Sequence, residues 1–192
     1  MMRGAVLAGG DSRRMGSDKS GIVFRGEPLW HRQMEVLREA GAEPVLLVRR
    51  PGQSVPEGVA CLRDSAVDAG PMAGLQAVLA AGSAPFTAVL AVDMPGIDAA
   101  WFRWLLGFCR PGLGAMARHG EICEPLAAIY PTEALLEVTA RLEMRDLSLQ
   151  RLALALAAAG RMTLLPLSAA AAAQTVSVNT AEELKSAQES AP

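Results

Sequence analysis

Leu7-Ala8-Gly9-Gly10-Asp11-Ser12-Arg13-Arg14-Met15-Gly16-Ser17-Asp18-Lys19 continues directly from the apolar run Arg3 to Ala8. A short hydrophobic run that opens into a polar, glycine-containing loop, here Gly9 to Gly21, reads as a buried first strand with a ligand loop at its carboxyl end. Successive glycines let backbone N–H groups turn toward an anion, and Arg14 and Lys19 can reach phosphate oxygens from the same loop. The G-x-G-x-x-G spacing of a dinucleotide fingerprint is absent. Asp18, and not Gly, precedes Lys19, so the loop is not a P-loop either.

Outward from this loop, short apolar runs alternate with longer amphipathic segments, the pattern of βαβ units and a mainly parallel sheet. Pro28 opens a helix to about Ala40 that Gly41 closes. Strands follow at Pro44 to Arg49 and Val59 to Leu62, then a helix Met72 to Ala81 ended by Gly82. Phe86 to Val92 is the most apolar strand and belongs near the sheet centre. Asp98 caps a helix from Ala99 to about Phe108. Gly114 to Arg118 and Pro125 to Tyr130 read as strands separated by a turn at His119-Gly120. Helices Thr132 to Leu142 and Ser148 to Ala159 precede a strand Met162 to Leu167. The alanine run Ala169 to Ala173 is a loop or short helix, and a strand Thr175 to Val178 and a helix Ala181 to about Ala187 end the chain. No repeat or linker interrupts it, so residues 1–192 are expected to form one domain.

Composition narrows the function classes. The 192 residues are 51% hydrophobic, with 18 basic and 20 acidic side chains, a net charge of −2. A chain of this length buries enough surface to fold without staples. Three cysteines, Cys61, Cys109 and Cys123, share no Cys-x-x-Cys spacing and read as reduced cytosolic thiols. The apolar start is too short for a signal peptide, and no run approaches the ~20 residues of a membrane helix. Residues 1–50 carry 9 basic and 6 acidic side chains, net +3, which leaves −5 for the rest. That balance, with 4% aromatics, suits a small anionic ligand and not a nucleic-acid backbone.

Two further loops carry chemistry. Asp93-Met94-Pro95 follows the apolar strand, and a carboxylate at the end of a central strand requires a partner, for which a hard divalent cation bridging phosphates is suited. Arg63-Asp64-Ser65 with Gly70-Pro71-Met72-Ala73-Gly74 offers an acceptor, Asp64, for a base or sugar, and glycines that permit close backbone approach at a helix start. Each also has a plainer structural reading, a cap or turn aspartate and a Gly-Pro helix start. His31 reads as a packing or surface residue, the nine methionines as core filler and the three tryptophans as core. No Ser/His/Asp arrangement for acyl transfer is present.

Taken together, Leu7-Ala8-Gly9-Gly10-x-Ser12-x-Arg14-Met15-Gly16-x-Asp18-Lys19 resembles the opening motif of the molybdenum cofactor guanylyltransferases, the MobA family. Leu62-Arg63-Asp64-Ser65, Gly70-Pro71-Met72-Ala73-Gly74, Val92-Asp93-Met94-Pro95, Glu124-Pro125-Leu126-Ala127 and Val178-Asn179-Thr180-Ala181-Glu182-Glu183-Leu184 are similar to that family's later motifs, in order and over nearly the whole chain. The resemblance implies a three-layer α/β/α, Rossmann-like nucleotidyltransferase of the glycosyltransferase-A-like type. It implies a Mg²⁺-dependent enzyme that joins GTP and molybdopterin, or its molybdenum form, to give the guanine dinucleotide cofactor and pyrophosphate. Contacts with other proteins of that cofactor's biosynthesis are compatible with it. By the family's pattern, backbone groups of Leu7, Ala8, Gly9 and Gly10 bind the nucleotide, Lys19 contacts it, Asp64 helps hold the guanosine part, Gly70, Pro71 and Gly74 line it, Asp93 binds the metal and Asn179 lies close to that metal. Arg14, Lys19 and Asp93 would neutralise charge on the phosphates. An anionic phosphate nucleophile needs no general base.

Two positions depart from the family's pattern. The second strand ends Val48-Arg49-Arg50 where a polar Asn is frequent, and Ser177-Val178-Asn179 replaces an Asn-x-Asn pair. The alternatives are a related nucleotidyltransferase with another phosphate acceptor or another base, such as a cytidylyltransferase, whose relatives tend to read Ala-Ala-Gly in place of Ala8-Gly9-Gly10, and a catalytically inactive nucleotide-binding module. A sugar-nucleotide pyrophosphorylase normally requires a longer chain.

Overall fold

The computed structural model describes residues 1–9, 23–64, 69–82, 84–178, 180 and 183–184. Strands β1 (Met2–Leu7), β4 (Ala42–Arg49), β5 (Cys61–Arg63), β6 (Phe86–Ala91), β7 (Gly114–His119), β9 (Ala127–Pro131) and β10 (Met162–Pro166) form one sheet in the order β10-β7-β9-β6-β1-β4-β5. The pairs β1–β4, β1–β6, β4–β5 and β7–β10 are parallel, whereas β9 runs antiparallel to both neighbours. The short strand β8 (Ile122–Cys123) pairs antiparallel with the end of β7. The apolar strand β6 occupies the middle of the seven, as its composition predicts.

Helices cover both faces. On one lie α1 (Leu29–Glu39) and α3 (Ala99–Leu106), whose Met34, Leu37, Phe102 and Leu105 pack with Val6, Leu47 and Leu90. On the other lie α2 (Pro71–Ala80), α4 (Ala134–Glu143) and α5 (Leu149–Ala158), whose Met72, Leu75, Val138 and Leu152 pack with Ala5, Leu7 and Val89. Successive residues of β1 thus enter opposite cores, which is why this strand is apolar without alternation. This is the three-layer α/β/α architecture with a mainly parallel sheet.

Local chemistry sets the element ends. Asp98 and Ser148 cap α3 and α5 by accepting from Trp101 N–H and Arg151 N–H. Trp101 is buried and donates its indole N–H to Ala127 C=O at 2.9 Å, but Trp104 is 37% exposed and is not part of the core.

Three stretches differ from the sequence expectation. A two-residue hairpin, β2 (Val23–Phe24) and β3 (Glu27–Pro28), precedes α1. Its turn residues Arg25 and Gly26 both have positive φ, 51° and 88°. The turn after β7 admits β8 before β9 begins at Ala127. Thr175 to Val178 is not a strand. Ser168 caps a four-residue helix, α6 (Ala169–Ala172), which tightens into a 3₁₀ turn at Ala173–Thr175. The following segment makes one sheet-like bond, Val178 N–H to Asp93 C=O at 2.8 Å. Thr180 and Glu183 make the two reciprocal bonds of a capping box, and residues 181–182 and 185–187 of the expected helix Ala181 to about Ala187 lie outside the described residues.

Candidate active site

In the order β6-β1-β4, the chain leaves β1 for one neighbour and later returns on its other side, so the carboxyl ends of β1 and β6 flank a topological switch point. A cavity of about 140 Å³ opens there, lined by Leu7, Gly9, Val48, Arg50, Asp64, Gly70, Pro71, Gly74, Ala91, Val92, Asp93 and Leu126. Ligand pockets usually measure about 300–1,000 Å³, so a nucleotide seated here extends beyond these walls.

The sheet dictates which groups can serve a ligand. Leu7 C=O accepts from Val92 N–H at 3.1 Å, and Ala8 N–H donates to Val48 C=O at 2.9 Å. The ladder therefore consumes the Ala8 donor that the sequence reading gave to the nucleotide, and Ala8 is buried behind the cavity wall. Gly9 is the first residue past the ladder. A Cβ there would stand 3.1 Å from Arg50 Cγ and 3.6 Å from Asp64 Oδ2, so glycine leaves room for both side chains to crowd the end of β1.

Asp64 follows β5, and its N–H donates to Arg49 C=O at 3.1 Å. The residue is 6% exposed. Burial pushes its carboxyl above the ordinary value, and the Arg50 guanidinium partly counters the rise. Gly70 enters α2 at φ 57°, ψ −146°, a conformation that disfavours any residue with a Cβ. The bare face of Gly74 approaches Leu7 and Val48, where an added Cβ would lie 3.3 Å from each. These two glycines bring the start of α2 against the sheet at the cavity.

Asp93 leaves β6 into a turn held from three directions. Its own carbonyl accepts from Val178, Gln33 Nε2 donates to Met94 C=O at 2.8 Å, and Arg32 Nη2 donates to Pro95 C=O at 3.4 Å. Gln33 is fully buried, an unusual place for an amide, and its donation explains its position. Gln33→Leu removes one of the two donors to the Met94 carbonyl and leaves it the bond from Ile97 N–H at 3.2 Å. The expected cost is about 0.5–1.5 kcal/mol, a fall in Tm of roughly 1–6 °C, with turnover lowered severalfold as the Asp93 turn loosens; a thermal scan and a rate measurement check both. Glu124 holds the segment that crosses this turn. Its Oε1 accepts from Thr175 Oγ1 at 3.0 Å, and burial pushes its carboxyl up against the opposing effects of that bond and of His119.

Seven residues singled out from the sequence thus share one cavity: Leu7, Gly9, Asp64, Gly70, Pro71, Gly74 and Asp93. Gly10, Arg14, Lys19 and Asn179 lie outside the described residues. Val48, Arg50, Ala91, Val92 and Leu126 are the additions. Arg50 follows the strand beside β1, and that adjacency was the signal that could have found it; Leu126 belongs to the Glu124-Pro125-Leu126-Ala127 motif and donates the cavity's last wall. Among the described residues no cluster of three or more His, Cys, Asp or Glu forms a metal cage. One carboxylate still suits Mg²⁺, which is commonly held by one or two carboxylates with substrate phosphates supplying other oxygens.

The profile of the MobA-like NTP transferase domain matches residues 4–161. The chain belongs to this family. Within the MobA-like proteins it is 52% identical over 170 residues to a protein of Opitutus terrae described as a probable molybdenum cofactor guanylyltransferase, covering 86% of this chain and 84% of that one. A Deinococcus radiodurans protein of the same description is 36% identical over 137 residues, 70% of each chain. The MobA-like fold is shared with the crystal structure of molybdopterin-guanine dinucleotide biosynthesis protein A from Archaeoglobus fulgidus, with a TM-score of 0.76 at 22% identity over 98% of this chain and 97% of that one. As a member of this family the chain is a nucleotidyltransferase. Among the described residues no helix is long and apolar enough to cross a membrane.

Proposed function

We propose that this chain transfers GMP from GTP to molybdopterin or its molybdenum form, as one cytosolic nucleotidyltransferase domain over residues 1–192. The observation that carries the reading is the placement of Asp93, Asp64, Gly9 and the start of α2 around one cavity at the switch point of the sheet. The names of the Opitutus and Deinococcus relatives support the choice of substrates.

In this reaction a terminal phosphate oxygen of the acceptor bonds to the α-phosphorus of GTP, the bond from that phosphorus to the bridging oxygen breaks, and pyrophosphate leaves. The protein's tasks are positioning and charge neutralisation. Asp93 would hold Mg²⁺, with Asn179 nearby; the ion, when bound, neutralises charge shared among the phosphate oxygens. Lys19 and Arg14 add positive charge from the first loop. Leu7 walls the nucleotide's cavity, backbone groups of Gly9 and Gly10 bind the nucleotide, and Asp64 holds the guanosine end, flanked by Gly70, Pro71 and Gly74.

Calorimetric titration with GTP and CTP in separate runs, Mg²⁺ present, tests the assignment. GTP is expected to bind at least about tenfold more tightly, a difference of ~1.4 kcal/mol. Tighter CTP binding would make the chain a cytidylyltransferase, and binding without turnover when the pterin acceptor is added would make it an inactive nucleotide module.

A further inference from the structure

We infer that Arg50 is a specificity-determining residue that reads the guanine base, its guanidinium donating to O6 and N7 while Asp64 accepts from N1–H and the exocyclic amine. The inference rests on the GTP assignment above and extends it to a residue to which the resemblance gives no role.

The position of Arg50 is built, not incidental. Its N–H donates to Gln53 Oε1 at 3.0 Å, and its carbonyl accepts from Arg63 Nη1 at 3.0 Å, so the backbone after β4 is fixed on both sides. The side chain passes over Gly9, where even a methyl group would press on its Cγ. It lines the cavity together with buried Asp64 and is close enough to lower that carboxyl's affinity for a proton.

Charge decides between base and phosphate as the target. A buried carboxylate beside the guanidinium repels a polyanion, whereas the two together form a nearly neutral donor and acceptor pair suited to an uncharged heterocycle. The end of β6 that carries Asp93 lies two strand spacings from β4, roughly 10 Å, which separates the phosphate end from Arg50. Of the bases, guanine alone offers adjacent acceptors at O6 and N7 with donors at N1 and the 2-amino group. Adenine places an amine where guanine has O6, and cytosine has no N7. Arginine's planar fork matches the O6 and N7 pair.

The test compares GTP with 7-deaza-GTP, which lacks only the N7 acceptor, by calorimetry with Mg²⁺ on the wild-type protein, Arg50→Ala and Arg50→Gln. Wild type is expected to bind 7-deaza-GTP on the order of tenfold more weakly than GTP. In both variants GTP weakens and the ratio falls to about one. A wild-type ratio of one overturns the assignment without recourse to any variant, and so does a folded variant that keeps the wild-type ratio. A wild-type protein that binds neither nucleotide overturns the guanylyl reading itself, an outcome distinct from both.

Discussion

Asp93→Asn is expected to lower Mg²⁺-dependent GTP turnover by about 10³ or more while leaving Tm within a few degrees of wild type. The two halves of this expectation have separate physical grounds. The turn that carries Asp93 is fixed through main-chain carbonyls, those of Asp93, Met94 and Pro95, which accept from Val178, Gln33 and Arg32. None of these bonds uses the carboxylate, so an isosteric amide preserves them. The carboxylate's charge is what a hard cation requires, and an amide oxygen on a strand end offers a far poorer ligand. Removing one preorganised electrostatic contact costs about 10²–10³ in rate, and here the loss would take the ion with it. Turnover assayed across Mg²⁺ concentrations separates the cases: a variant with the wild-type metal dependence would show that Asp93 is a turn residue and nothing more.

Much of this site was legible because a parallel sheet makes function local in sequence. Each strand end is followed at once by its loop, so the residues after β1, β5 and β6 could be named before their neighbours were known. Asp64 and Asp93 were found that way. What one sequence does not carry is adjacency between strands. Arg50 reaches the cavity only because β4 lies beside β1, and Leu126 only because β9 lies beside β6, its carbonyl accepting from Ala91 N–H at 2.8 Å. Gln33 was hidden for the same reason: an amide on an amphipathic helix gives no sign that it will be buried against a turn 61 residues away. The misread strand at Thr175 to Val178 shows the limit of local pattern. Its β-branched residues suggested a ladder, but the Ser168 cap commits the preceding alanines to a helix, and Thr175 spends its hydroxyl on Glu124 and Ala172.

Asp64→Asn is expected to raise KM for GTP on the order of 10²-fold with kcat changed by no more than a few fold, the opposite partition to Asp93→Asn. A carboxylate offers two acceptors to the two N–H donors on the guanine edge, whereas asparagine offers one acceptor and one clashing donor. Two charge-assisted bonds of about 1.5–3 kcal/mol each are at stake. The effect falls on binding because the base contact is made equally before and during phosphoryl transfer. Acid provides an independent check with a defined sign. Burial holds the Asp64 carboxyl above 3.8, its ordinary value, so a proton occupies the acceptor at a higher pH than it would on a free side chain. GTP affinity should therefore fall as pH drops through this raised value, and the fall should vanish in Asp64→Asn. The contribution of the same group to the stability of the free protein runs the other way. A raised folded-state value means stability that is fully present below the unfolded value and lost as pH rises through the folded one. Acidification thus weakens the ligand's hold while relieving the buried charge. An affinity and a stability that declined together over that window would assign the titration to another group, and a KM unchanged in Asp64→Asn would remove Asp64 from the base site.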